Sequence, residues 1–175
     1  MTDLSSKTIA VFIENYFDDR EFLYPTIRLE EAGAKVIVAG TAAKTEYHSK
    51  AGYIAISDVA FKALDADKLD GVIIPGGFAP DFIRRDTAAL DIVRKLNEQK
   101  KMVAFICHAG WVAISANILK GVKATSVRAI KDDMVNAGTV WQDVPAMRDE
   151  HIISAMSAPN VAQFMKEVVA YLASK

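Results

Sequence analysis

The chain has 175 residues, 51% hydrophobic and 25% charged, with a formal net charge of −1, so it fits one globular domain and lacks the basic bias of a nucleic-acid-binding protein. A single cysteine excludes an internal disulfide, the three histidines have no metal-ligand spacing, and neither a signal-peptide core nor the ~20 apolar residues of a membrane span is found. We therefore expect a single domain over residues 1–175 in the cytoplasm, with no cofactor, no metal, no nucleic acid and no membrane among its partners.

Apolar, β-branched runs alternate with helical patterns along the first half of the chain. A helix is predicted over residues 21–32, where Gly33 is a natural stop. Residues 53–58 alternate as in a half-exposed strand. The other strands predicted in this half are 8–13, Lys35–Gly40 and Gly71–Ile74.

The second half continues the alternation. Its predicted strands are Met102–Ile106 and 151–155, and its predicted helices are 87–99, the apolar segment from Cys107 through Leu119, a short helix over 129–137, and a carboxyl-terminal helix whose apolar stripe packs into the core. Strands that alternate with helices imply a mostly parallel sheet covered on both faces. The predicted fold is α/β, a flavodoxin-like three-layer αβα sandwich.

Cys107 lies at the turn between a predicted strand and a predicted helix, where side chains project into the ligand crevice of open α/β sheets. The free N–H groups and dipole of that helix favour a thiolate, so we expect the pKa of Cys107 to lie below that of a free thiol. His108 beside it is a candidate base. The alternative is a buried structural cysteine.

Three loops follow strand ends and are expected to meet in one crevice: residues 14–21, residues 75–81 and Cys107-His108. They bring together a thiol, carboxylates and the backbone of Gly76-Gly77, whose N–H groups could stabilise an oxyanion. An ordinary tight turn at the glycines and a solvated helix start at Asp18 are the alternatives. No glycine-rich phosphate-binding motif is found in the sequence.

Four segments carry a family resemblance: Glu21-Phe22-Leu23-Tyr24-Pro25, the run Ile73-Ile74-Pro75-Gly76-Gly77-Phe78-Ala79-Pro80-Asp81, then Ala104-Phe105-Ile106-Cys107-His108, and Asp132-Asp133-Met134-Val135-Asn136-Ala137-Gly138. In this order they resemble the ThiJ/PfpI superfamily, most closely its PfpI-like branch of intracellular proteases and general stress proteins. The resemblance runs from about residue 9 to the carboxyl terminus.

The resemblance implies a strained nucleophile elbow at Cys107 and a buried Glu21 that hydrogen-bonds the cysteine sulfur. Asp18 matches a second acidic position of the branch. Asp81 matches an acid that reaches across a subunit interface to the histidine after the cysteine, so the triad would be Cys107, His108 and a neighbour's Asp81. The resemblance therefore implies a homodimer or a higher homo-oligomer.

The chain departs from the family near the expected site. The usual Gly-Pro after Cys-His is Ala109-Gly110 here, and Met156 stands where relatives tend to carry arginine. A tyrosine found in some relatives after the nucleophile helix is Val127. These changes alter the polarity of the pocket. They bear on whether this protein shares the substrate of its relatives more than on whether Cys107 is reactive.

The leading functional hypothesis is a cysteine-dependent stress-response enzyme. Its Cys107 thiolate would attack small reactive carbonyls, as a glyoxalase or deglycase, or peptides, as a PfpI-type protease. The alternative is a redox-responsive chaperone or sensor that uses oxidation of Cys107 without turnover. A catalytically silent homologue is a third possibility. A glutamine amidotransferase is disfavoured, because that elbow has glycine where this chain has Phe105.

Overall fold

The computed structural model describes residues 2–175. Its strands are β1 (Thr8–Phe12), β2 (Lys35–Gly40), β3 (Glu46–His48), β4 (Ile54–Ile56), β5 (Val59–Ala60), β6 (Gly71–Ile74), β7 (Met102–Ile106), β8 (Lys123–Ala124), β9 (Val140–Trp141), β10 (Ala146–Asp149) and β11 (Ile152–Ala155). Its α-helices are α1 (Asp19–Glu31), α2 (Ala79–Ile83), α3 (Thr87–Glu98), α4 (Gly110–Ser115), α5 (Lys131–Asn136) and α6 (Val161–Ala173).

Seven strands form the main sheet, in the order β10-β11-β7-β6-β1-β2-β5. Adjacent strands of this sheet pair in parallel, except that β10 runs antiparallel to β11. Helices α1 and α6 pack together in one layer, and α3 packs with α4 in another. The predicted flavodoxin-like sandwich is confirmed. No helix within residues 2–175 combines the length and the apolar character needed to cross a bilayer.

The central strands are apolar along their whole length because helices cover both faces of a parallel sheet. All four residues of β6 and all five of β7 are buried. The parallel register sets Ile74 opposite Phe105, so the carboxyl ends of β6 and β7 lie at the same edge. The loop that follows β1 joins that edge through a bridge between Phe17 and Gly77. The three loops that were expected to meet therefore do meet.

The helix predicted from Cys107 through Leu119 is much shorter in the structure. A 3₁₀ turn covers Cys107–Ala109, and α4 then runs for only six residues. Asn117 has φ 59°, in the left-handed region, and this conformation cannot continue a right-handed helix. The apolar residues that follow, Ile118 and Leu119, are buried without being helical.

The strand predicted over 53–58 is also shorter and does not join the main sheet. Its central part, β4, pairs with β3 in a separate antiparallel hairpin. Tyr47 and Ala55 face each other on the buried side of this hairpin, whereas Ile54 and Ile56 are exposed.

The outer edge of β2 is closed by side-chain chemistry as well as by a strand. Only Ala39 and Gly40 pair with β5. Further back, Asp58 takes the place of a strand: its N–H donates to the carbonyl of Val38 (2.7 Å), and its carboxylate accepts from the Val38 N–H (2.9 Å).

Candidate active site

Cys107 occupies a strained turn directly after β7. Its φ of 62° lies in the left-handed region, which costs a non-glycine residue on the order of 1–3 kcal/mol and is concentrated at functional sites. The residue is half-buried, and it is the only cysteine in the chain. The backbone N–H groups of His108 and Gly77 favour its thiolate form. The turn thus presents one thiol, next to backbone donors, at the edge where three loops meet.

Close packing explains both glycines of the loop after β6. A Cβ on Gly76 would lie 2.6 Å from Glu21 Oε2 and 2.7 Å from the Cβ of Cys107. A Cβ on Gly77, whose φ is 77°, would lie 2.6 Å from the backbone nitrogen of Asp18. The Gly76 N–H was expected to be free for an oxyanion, but it donates to Glu21 Oε2 at 2.8 Å. The N–H of Gly77 lowers the pKa of Cys107.

Glu21 is fully buried in the first turn of α1. One carboxyl oxygen accepts from Gly76, and the other, Oε1, is buried without a hydrogen-bond partner among residues 2–175. Burial, followed by the negative charge of Asp18, raises the pKa of Glu21 to about 7 against the opposing effects of Gly76, Lys50 and Cys107. Glu21 can therefore gain or lose a proton near neutral pH, beside the thiol.

The thiol does not match the expected low pKa. Burial, followed by the charge of Glu21, raises the pKa of Cys107 to about 12, while the N–H groups of His108 and Gly77 oppose this rise. The expectation of a lowered pKa gave too much weight to a helix that is short and begins three residues after the cysteine. Because each negative charge disfavours the other, Glu21 and Cys107 form a coupled pair, and a thiolate is favoured when the proton resides on Glu21.

Asp18 has a structural role in addition to its charge. Its Oδ1 accepts from the backbone N–H groups of Arg20 (3.0 Å) and Glu21 (3.3 Å), which is the N-cap of α1. Its Oδ2 lies 2.6 Å from Nζ of Lys50. Lys50 was not among the residues singled out from the sequence, and no sequence signal marks it, since it follows a short polar strand outside the main sheet.

His108 lies against the nucleophile but has no acidic partner in the chain described. Its Nδ1 is 3.4 Å from Sγ of Cys107, and its ring packs on Trp111 with centroids 5.2 Å apart. Burial, followed by the charge of Lys50, lowers the pKa of His108, which favours the neutral imidazole. Within residues 2–175, Asp81 makes no hydrogen bond to His108; it is exposed and pairs with Arg85 at 3.3 Å.

Two departures from the family pattern lie close to Cys107 along the chain or in space. Ala109 is buried in the 3₁₀ turn, and the N–H of Val127 donates to the carbonyl of Cys107 at 3.4 Å. The third, Met156, follows β11 directly, as Cys107 follows β7, and the register pairs the preceding residues Ala155 and Ile106. In the part of the chain that the structure describes, no group of three or more His, Cys, Asp or Glu side chains could hold a metal ion.

The burial of Glu21 has a consequence for stability. Its pKa is about 7 in the folded protein against an ordinary value of 4.5, so the folded state binds more protons between these values and loses stability as the pH rises through them. Glu21→Gln keeps an acceptor for Gly76 and removes the charge. We expect this variant to be more stable than the wild type at pH 8 by roughly 3 kcal/mol, with the gain largely lost at pH 4.5. Urea unfolding at both pH values measures this, and an equal difference at both would contradict it.

Comparison with known proteins agrees with the geometry. The chain matches the DJ-1/PfpI family over residues 7–171. It is 38% identical over 158 residues to a Pyrococcus furiosus protein named Deglycase PfpI, covering 90% of this chain and 95% of that one. It is 35% identical over 164 residues to a deglycase of Pyrococcus abyssi, covering 94% and 98%.

A solved structure from Anabaena variabilis combines a DJ-1/ThiJ/PfpI-like domain with a ferritin-like domain. It superposes with a TM-score of 0.93 at 34% identity, over 95% of this chain and 48% of that one, so this chain spans about half of the Anabaena protein. The strained cysteine turn, the loop of two glycines and the buried glutamate thus occur in a chain that matches one family along nearly its whole length: the protein belongs to the DJ-1/PfpI family.

Proposed function

We propose that the protein is a cysteine-dependent stress-response enzyme that acts on small reactive carbonyls, in the manner of a glyoxalase or deglycase. The observation that carries this proposal is the pairing of Cys107, in its left-handed turn, with a buried Glu21 whose pKa is about 7. Two relatives that are 35% and 38% identical to this chain are named deglycases, which supports carbonyl chemistry.

The first step follows from the coupled pair. The thiol proton of Cys107 passes to the Glu21 carboxylate, which is able to hold it at neutral pH because of burial. The N–H groups of His108 and Gly77 stabilise the resulting thiolate. The pair then carries one negative charge, on the sulfur of Cys107, and one proton, on the carboxyl group of Glu21.

Attack on a dicarbonyl uses that proton. Sulfur bonds to the aldehyde carbon, the π electron pair of the C=O bond moves onto oxygen, and this oxygen takes the proton from Glu21, so a neutral hemithioacetal forms. The neutral His108, 3.4 Å from the sulfur, is placed to take the C–H proton from the hemithioacetal carbon and return it to the neighbouring ketone carbon, while the hydroxyl proton passes to the ketone oxygen. The product of this shift is a thioester of a 2-hydroxy acid with Cys107. One water then hydrolyses the thioester and releases the 2-hydroxy acid and the free thiol.

The test is a panel of substrates given to the wild type and to Cys107→Ala. We expect the wild type to convert methylglyoxal to lactate, followed by NMR, and the variant to fall by ~10³-fold or more to the background rate. A labelled casein peptide in the same panel tests the protease reading. If the peptide is cleaved in a Cys107-dependent way and methylglyoxal is not converted, the protein is a protease and the proposed carbonyl chemistry is wrong.

The redox-responsive chaperone or sensor is the alternative from another class. Oxidation of a cysteine and attack on a carbonyl both need the thiolate, so the raised pKa of Cys107 does not separate this alternative from an enzyme. Conversion of Cys107 to a sulfinic acid by dilute peroxide, with no turnover of any carbonyl or peptide, would favour this alternative over an enzyme.

A further inference from the structure

Lys50 brings a positive charge to the site from an element outside the main sheet. It lies in the turn between β3 and β4, and its backbone N–H donates to the carbonyl of Phe17 at 3.0 Å. Its Nζ is 2.6 Å from Oδ2 of Asp18, whose side chain is only 5% exposed, whereas that of Lys50 is 45% exposed. A buried carboxylate thus has its counter-ion on a hairpin that packs from outside.

Asp18 connects this cation to the reacting pair. Its other oxygen accepts from the backbone N–H of Glu21, so the two carboxylates are held near each other at the start of α1. The negative charge of Asp18 raises the pKa values of both Glu21 and Cys107, and the positive charge of Lys50 lowers that of Glu21. Without Lys50, the unbalanced charge of Asp18 would disfavour any negative charge on the pair.

We propose that Lys50 is a positioning residue for the Glu21–Cys107 pair: by neutralising Asp18 from the hairpin, it allows the pair to carry a negative charge at neutral pH. The inference rests on the proposed function only for its effect on turnover, since the reactivity of the thiol can be measured without a substrate.

The charged and titratable groups that face the pair come from three elements. Asp18 lies at the start of α1, Lys50 on the hairpin, and His108 in the 3₁₀ turn after β7. The loop after β6 contributes only the N–H groups of Gly76 and Gly77. Among these groups His108 is the other one able to be positive, and its lowered pKa keeps it neutral near pH 7. Lys50 is therefore the constant positive charge of the site.

The rate of alkylation by iodoacetamide as a function of pH tests the inference. We expect Lys50→Met to be alkylated roughly 3- to 10-fold more slowly than the wild type at pH 7, with the rate profile moved to higher pH. Lys50→Arg should restore most of the wild-type profile. Because Lys50 is half exposed, molar salt should narrow the difference between the wild type and Lys50→Met.

Ser49→Ala is the matched control for the packing of the hairpin. The Ser49 hydroxyl donates to Oδ1 of Asp19 at 2.6 Å and accepts from the N–H of Tyr53, so it holds the same turn without carrying charge. An equal change of the profile in Ser49→Ala, or no recovery in Lys50→Arg, would overturn the charge role of Lys50. An unchanged profile in Lys50→Met would also overturn it. A changed profile in a protein that converts no carbonyl would reject the proposed function and retain the inference.

Discussion

Mixing Cys107→Ala protein with Asp81→Ala protein is expected to restore about a quarter of the wild-type turnover, although each variant alone should be nearly inactive. His108 has no carboxylate partner within residues 2–175, and Asp81 is exposed at the start of α2, paired only with Arg85. We propose that the protein is at least a homodimer in which Asp81 of one subunit orients His108 of the other. The orienting acid is the part of a nucleophile–base–acid triad that the single chain lacks.

The expected fraction follows from two-fold symmetry. Random exchange places about half of the subunits in heterodimers. In each heterodimer one site combines an intact Cys107 and His108 with the intact Asp81 of the other chain, and the second site lacks both the thiol and the acid. Half of the sites in half of the dimers are therefore complete, which gives about one quarter.

Asp91→Ala replaces Asp81→Ala in the control mixture. Asp91 is likewise an exposed helical acid paired with an arginine, Arg94, at 2.7 Å. The Asp91→Ala variant should be active by itself. Mixing it with Cys107→Ala should therefore only reduce the turnover in proportion to the inactive subunits added. Light scattering establishes the oligomer in each sample. The shared site would be ruled out if the wild type turned over substrate as a monomer. It would also be ruled out if the two inactive variants remained inactive after their subunits had exchanged.

Gly76→Ala is expected to lower turnover by about 100-fold while the protein stays folded. The added methyl group would lie 2.6 Å from Glu21 Oε2 and 2.7 Å from the Cβ of Cys107, distances that real Cβ atoms do not keep. Both members of the coupled pair must move apart, and a displacement near 1 Å at a reacting group is enough for a loss of this size. The measurement is the carbonyl turnover and the alkylation rate of the same preparation, with circular dichroism to verify folding.

Gly121→Ala separates this collision from a general cost of replacing a glycine. Gly121 has φ 77° and nothing within 4 Å of its would-be Cβ, so its replacement strains a turn before β8 but contacts no site group. It should lose stability with little loss of turnover. If Gly76→Ala retained wild-type turnover, the close packing of Glu21 and Cys107 around Gly76 would not be required for the reaction.

The strands and helices with a long apolar period were predictable from the sequence, whereas the short polar ones were not. The strands β6 and β7 have the predicted bounds because buried central strands are nearly continuous apolar runs, and β2 has its predicted bounds although it is only partly buried. The strands β3 and β10 were missed, since three or four residues that include Glu46 or Arg148 show no period to detect. The length of α4 depended on the conformation of Asn117, which no pattern of residue types reveals.

The candidate site divides in the same way. The spacing of strand ends was enough to bring the loops of Gly76, Cys107 and Glu21 together, because parallel strands end at one edge. The direction in which the environment shifts the thiol pKa was not predictable, since it depends on burial and on the separation of two acids. The role proposed for Lys50 depends on how a hairpin packs against a distant loop, which only the three-dimensional structure shows.

Asp58 beside β2 also affects how the molecule meets its neighbours. An unpaired strand edge is a template on which another chain can add a strand, and repeated addition leads to aggregation. Here the N–H and the carbonyl of Val38 already hydrogen-bond Asp58, and β5 has only two residues with which another strand could pair. A second copy would also bring its own aspartate against this one. Association through continuous sheets is thus discouraged at this edge of the sheet.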